Sequence, residues 1–213
     1  SNNVIIGTGE PTNNIDRVAG AGIFRSTDAG ATWAPATMNS PIGGGHGFHV
    51  MVSNPTYGTL LAGATDGVWR SSDAGASWTQ INNVQVTDIV YKPGSADTAY
   101  CVRAISAGAA ASVRWSTNDG LTWPKRSNGL PDPVVVAWNK CKLAVSAANR
   151  EYVYVTIVDN NTSDLLGLYR STDGSATWTL RTSAPNLIGG QGWYNLSLAA
   201  DPNDAERVIM GGT

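Results

Sequence analysis

Charge is what this chain has least of. Lys, Arg, Asp and Glu together make up 14% of its 213 residues, and 14 bases face 16 acids for a net charge of −2. The bases are scattered and form no basic stretch, which argues against recognition of nucleic acid by phosphate neutralisation. Long apolar runs are also missing. The longest, such as Val134 to Trp138, is far too short to cross a bilayer, so no membrane insertion is expected. No secretory leader is visible, although Ser1 could follow a removed one. The two cysteines, Cys101 and Cys141, match no zinc or redox spacing. Each sits in an apolar, strand-like run, so the alternatives are two buried free thiols or a disulfide between neighbouring sheets. Nucleophile-elbow, zinc-protease and phosphate-loop motifs are absent, and no cofactor motif is found.

Helical periodicity is lacking too. What is plentiful is Gly, at 24 residues, with many Thr, Ser and Asn. That mixture suits short strands joined by tight turns. One octapeptide recurs: Ser26–Trp33, Ser71–Trp78, Ser116–Trp123 and Ser171–Trp178, spaced by 45, 45 and 55 residues. A period near 45 residues is that of a four-stranded propeller blade. Gly, aliphatic, aromatic and Arg precede three copies, as in Gly22-Ile23-Phe24-Arg25, Gly67-Val68-Trp69-Arg70 and Gly167-Leu168-Tyr169-Arg170. The third copy departs, with Val113-Arg114-Trp115. Turns at Asn54-Pro55, Lys92-Pro93 and Asp201-Pro202 each lead into an apolar run. The chain therefore reads as all-β, with blades of strands A to D. Strand A precedes the Pro turn, B follows it, C ends at the octapeptide and D starts at its Trp. The blade fragments expected are 1–40, 46–85, 86–130, 134–183 and 192–213.

The octapeptide reads as the hairpin turn between strands C and D. Its third residue (Asp28, Asp73, Asn118, Asp173) accepts hydrogen bonds from turn N–H groups, as in an Asx turn. The Gly two places later (Gly30, Gly75, Gly120) supplies a positive φ. The Trp (Trp33, Trp78, Trp123, Trp178) buries its ring and satisfies its N–H. A structural role is expected for all of them, and a catalytic role for none. The fourth copy has Ser175 where Gly is expected and Gly174 one place earlier. With Asn118 replacing Asp in the third, both turns are expected to be looser.

These octapeptides resemble the Asp-box, or bacterial-neuraminidase, repeat family, which includes sialidases, xyloglucan-cleaving hydrolases, sortilin-type receptors and photosystem assembly factors. The wider pattern is most similar to large secreted bacterial proteins with sortilin-like repeats. It is carried by Ile6-Gly7-Thr8-Gly9-Glu10-Pro11 with Asn13-Asn14, and by Gly190-Gln191-Gly192-Trp193-Tyr194-Asn195 ahead of Asp201-Pro202. The resemblance implies a β-propeller and an extracellular or cell-surface home, but no single activity. Val4–Gly9 and Val208–Thr213 both fall at strand B, so about four to five blades are expected. The expected remainder is further blades of the same chain, giving seven or more, or a neighbouring chain.

Long loops are expected on the propeller face opposite the octapeptides, where ligands gather. Candidates there are Glu10 and Asp16, as a carboxylate pair able to hold calcium or as solvated, capping acids. His46 and His49 are spaced i, i+3 on an extended segment and point to opposite sides, which disfavours joint metal ligation. Gln191, Trp193 and Tyr194 form an aromatic, amide-bearing group able to stack on sugars or clamp a peptide, or to pack at the axis. Neither the arginine triad of a sialidase nor the facing acids of a xyloglucanase are reproduced; Gly43–His49, the comparable loop, carries no acid. The reading is a non-catalytic propeller binding protein or glycan. A glycoside hydrolase with part of its site outside this segment, and a purely structural module, are the alternatives.

Overall fold

Strands such as Val153–Asp159 carry almost continuous apolar sequence because both faces of the sheet are covered; all but the last residue of that strand is buried. The computed structural model describes residues 2–12, 16–39, 47–103, 111–183 and 187–212. All regular structure among them is strand. The first sheet is β1 (Val4–Gly7), β2 (Ile23–Ser26) and β3 (Ala34–Pro35), in that order. A short β4 (Thr37–Met38) then leaves it to pair in parallel with the outer strand of the second sheet. That sheet runs β5 (Phe48–Ser53), β6 (Leu60–Ala64), β7 (Gly67–Ser71) and β8 (Ser77–Asn82).

The third sheet is β9 (Val86–Tyr91), β10 (Ala99–Arg103) and β11 (Ser112–Ser116). Its fourth strand is reduced to a single bridge, Arg114 to Lys125. Pro124 lies beside that bridge, lacks an N–H, and leaves only its carbonyl to accept from Trp115 N. The fourth sheet is complete: β12 (Trp138–Val145), β13 (Val153–Asp159), β14 (Leu165–Ser171) and β15 (Thr179–Thr182). The fifth holds β16 (Ser197–Ala200) and β17 (Val208–Gly211). Every pairing within these sheets is antiparallel, apart from the added β4.

The innermost strands β5, β9, β12 and β16 touch one another in series, so the sheets fan out from a common axis. The period-2 alternation of each strand sends neighbours to opposite interfaces. Leu61 packs with Val86, Ile89, Cys101 and Trp123 toward the third sheet, while adjacent Ala62 packs with Ile23, Trp69 and Trp78 toward the first. Tyr100, Trp138, Val155 and Trp178 fill the next interface. Trp33 occupies the equivalent place on the first sheet, where no sheet among the described residues covers it, and it is 39% exposed. Cys101 and Cys141 are both free and fully buried, in different interfaces, which excludes the disulfide alternative.

Two of the Pro turns hold by side-chain acceptance. Asn54 Oδ1 takes the N–H groups of Thr56 and Tyr57, and Asp201 Oδ1 those of Asn203 and Asp204. Two of the arginines ahead of the octapeptides cross to the next sheet: Arg70 pairs with Asp119 at 2.9 Å, and Arg170 pairs with Glu206.

Candidate functional site

The four octapeptides build one and the same corner. In the first, Ser26 Oγ accepts from Gly30 N at 2.8 Å and donates to Asp28 Oδ1 at 2.7 Å. Asp28 in turn accepts from Thr32 N at 2.8 Å and from Thr32 Oγ1 at 2.6 Å. These bonds from Thr32, with the one from Ser26, hold the Asp28 carboxyl down at about 2. At Asp73 and Asp173 burial pushes the other way, but the matching bonds from Ser77 and Thr177 outweigh it and keep both carboxyls below the ordinary value. Trp33, Trp78 and Trp123 donate Nε1–H to the carbonyls of Gly30, Gly75 and Gly120.

The expected loosening of the third and fourth corners does not occur. Asn118 Oδ1 accepts from Thr122 N at 2.9 Å while its Nδ2 donates to Thr122 Oγ1, so the amide reproduces both contacts of the acid. In the fourth copy Gly174 and Ser175 have φ of 64° and 74°, close to the 57° and 83° of Ala74 and Gly75. Ser175 N reaches Ser171 Oγ at 2.8 Å, as Gly30 N reaches Ser26. The turn needs two consecutive left-handed residues, and glycine can supply either one. The difference lies in the ring: Trp178 Nε1 donates to Arg126 O instead. Apart from the Trp178 ring, these residues are engaged in holding their own hairpins.

The opposite end of the sheets is different. There the inner strands begin, and three of them begin with a bulge. The pairing slips between Phe48 and Val50, between Val86 and Asp88, and between Trp138 and Cys141. The residues set off by these slips are His49, Thr87, Asn139 and Lys140. All four line one cleft of about 270 Å³. A bulge re-aims a side chain that a regular strand would bury between sheets, and here the re-aimed groups converge on the axis. Gln85 joins them at the start of β9, Asn160 and Ser163 enter from the loop between β13 and β14, and Pro11, Thr12 and Trp193 close the rim.

The cleft has fixed polarity. Burial, with help from the charges of Lys140 and Lys142, pushes His49 down to about 3, so its imidazole is neutral. Its Nε2 lies 3.3 Å from the Gln85 amide nitrogen and can accept from it. Lys140 is also lowered, by burial first and then by Lys142. Its Nζ donates to the carbonyl of Tyr194 at 2.5 Å. Lys142 faces Asp88 at 3.4 Å, and Asp88 also accepts from Leu143 N at 2.9 Å.

Of the residues singled out in the sequence, His49 and Trp193 come together in this cleft. Glu10 stands just behind the rim, where its Oε1 accepts from Thr12 Oγ1 at 2.5 Å. Asp16 is exposed on the same loop, and His46 lies outside the described residues. Gln191 is exposed outside the cleft; its carbonyl accepts from Tyr194 N and Asn195 N and so folds the turn that carries Trp193. Tyr194 is 50% exposed, and its ring sits 5.4 Å from that of Trp193. Among the described residues no cluster of three or more His, Cys, Asp or Glu is placed to hold a metal ion, and no helix is long and apolar enough to cross a membrane. Gln85, Thr87, Asn139 and Lys140 carried no motif, and Asn160 and Ser163 fall only within Asn-x-Ser/Thr acceptor sequences. For Gln85, Thr87, Asn139 and Lys140 the signal that could have marked them was a polar residue at the head of an inner strand, where apolar alternation breaks.

No protein-family model matches the chain, and no curated protein does. Solved structures match it. A GH74 xyloglucanase from Xanthomonas campestris aligns with a TM-score of 0.66 and 17% identity over 98% of this chain and 33% of its own. A GH74 enzyme from Niastella koreensis gives 0.64 and 21% over the same shares. A GH93 α-L-arabinofuranosidase from Fusarium graminearum, solved with arabinobiose, gives 0.54 and 12% over 99% of this chain and 71% of its own. The chain thus spans about a third of the length of these two GH74 proteins. At such identities the likeness is one of fold, and that fold is the β-propeller.

Proposed function

We propose that this chain is a non-catalytic propeller segment of the Asp-box type that binds glycan in the axial cleft. The observation carrying the reading is the convergence of three strand bulges on that cleft. They bring an imidazole, a hydroxyl, an amide and an ammonium group together beside one indole. Amides and hydroxyls in fixed positions match the donors and acceptors of sugar hydroxyls, and an indole face suits the C–H face of a pyranose. The nearby carboxylates are already engaged, Asp88 by Leu143 and Lys142 and Glu10 by Thr12. Among the described residues that line the cleft none is a carboxylate of the kind glycoside hydrolysis requires. Extracellular or cell-surface placement is part of the proposal; acceptor sequences at Asn160, Asn161 and Asn195 are compatible with it.

The test is binding of a panel of oligosaccharides, followed by calorimetry, with Trp193→Ala and Asn139→Ala compared to the parent. Both variants should weaken binding by about tenfold, roughly 1.4 kcal/mol. Unchanged affinity in both would contradict the reading. One observation favours a hydrolase as the second reading: the Xanthomonas campestris neighbour is a xyloglucanase and the Fusarium graminearum neighbour an arabinofuranosidase. Cleavage of labelled xyloglucan or arabinan that Glu10→Gln or Asp16→Asn abolishes would establish it instead.

A further inference from the structure

Among the described residues, Lys140 is the one cationic side chain lining the cleft once His49 is held neutral. It is half-buried on a bulge, and among the described residues it forms no ion pair. The charges acting on it are Lys142 and Asp88. Those two already face each other at 3.4 Å, and Asp88 spends its other oxygen on Leu143 N–H. The bond to the Tyr194 carbonyl fixes the Lys140 ammonium and uses one of its three N–H groups. Two donors and a full positive charge remain, beside Trp193 and the amide of Asn139. A cation taken partly out of water without a counter-ion costs free energy, and a ligand that brings the counter-ion recovers it.

We propose that the cleft selects a sugar residue bearing a carboxylate, a uronate, with Lys140 as the partner of the acid group and Trp193 beneath the ring. The proposal rests on the glycan reading above and narrows it to acidic glycans. Lysine suits this role as a compact point charge, and its bond to Tyr194 leaves it little freedom to turn away.

The experiment compares tri-uronides of several linkages with their carboxyl-reduced counterparts, identical in every group except that each carboxylate becomes a hydroxymethyl. The acid form should bind about tenfold more tightly than the reduced form. That preference should disappear in Lys140→Gln, survive in Lys140→Arg, and shrink with rising salt. A merely structural lysine would not move the ratio of the two affinities. Equal affinity for both forms would overturn the uronate assignment and leave the glycan reading standing. Binding of neither form would overturn the uronate assignment, and a blank oligosaccharide panel beside it would overturn the glycan reading as well. Tighter binding of a sulfated neutral trisaccharide than of any uronide would also overturn it, because the anion sought would then be a sulfate ester.

Discussion

Asp119, in the third octapeptide, accepts a 2.7 Å hydrogen bond from Nδ2 of Asn54, which heads the Pro turn of the preceding sheet. The same carboxylate also takes Thr59 Oγ1 at 2.6 Å, Arg70 Nη2 at 2.9 Å and Tyr91 OH at 3.0 Å. Four donors from the second and third sheets thus meet on one acid whose side chain is 11% exposed. Burial alone would raise the carboxyl, but the donors outweigh it and hold it below the ordinary value. Asp119→Ala strands Thr59 and Tyr91, leaves Asn54 only Ala96 O and Arg70 only the backbone carbonyl at 119, and should cost about 3 kcal/mol in denaturant unfolding. Asp119→Asn should fall between, because its Nδ2 would face the donors Thr59 and Arg70. A loss below about 1 kcal/mol for the alanine variant would show that the sheets are not pinned here.

The corners make a second prediction, through Asn118. Because an amide serves the third corner as an acid serves the others, Asp73→Asn should keep stability within about 0.5 kcal/mol, whereas Asp73→Ala should lose about 1–3 kcal/mol. Acid separates the parent from Asp73→Asn. The folded-state pKa values of Asp28, Asp73 and Asp173 lie below the ordinary 3.8. Their contribution is present above that value and is lost as pH falls through the lowered one. Unfolding free energy should therefore drop between about pH 4 and pH 2, less steeply in Asp73→Asn. Equal slopes would contradict the assignment.

His49 titrates with the opposite chemistry. A base whose folded pKa is pushed down to about 3 from 6.5 stays neutral in the fold while the unfolded chain takes up a proton. Its contribution is full above 6.5 and is lost as pH falls toward 3, with a slope of up to about 1.4 kcal/mol per pH unit. His49→Gln should flatten the stability profile in that window, read by urea unfolding at successive pH values. A profile identical to the parent's would mean that the imidazole is reached by water and protonates in place.

The sheets were legible in the sequence because their signals are local. Ser71, Asp73 and Ser77 close a corner within seven residues, and Asn54 folds its own turn over the next three. Alternation did the rest, since Leu61 and Ala62 need opposite apolar partners. The cleft was not legible, for a physical reason. His49, Thr87 and Asn139 come from three sheets and share only the axis, and each is aimed by a one-residue slip that hydrophobic periodicity does not record. Trp193 and His49 stood out as residue types; Lys140 did not, because an isolated lysine in a strand reads as a solvated side chain. The tolerance at Gly174 and Ser175 escaped notice too, since only φ shows that two adjacent places share the same left-handed demand.

The sheets have two ends, one that holds corners and one where glycan binding is proposed. Titrating the preferred oligosaccharide against the parent, Trp193→Ala and Asp73→Asn side by side tests that division most directly. Trp193→Ala should weaken binding by about tenfold while Asp73→Asn binds as the parent does. Loss of binding in a folded Asp73→Asn, with Trp193→Ala unaffected, would contradict it.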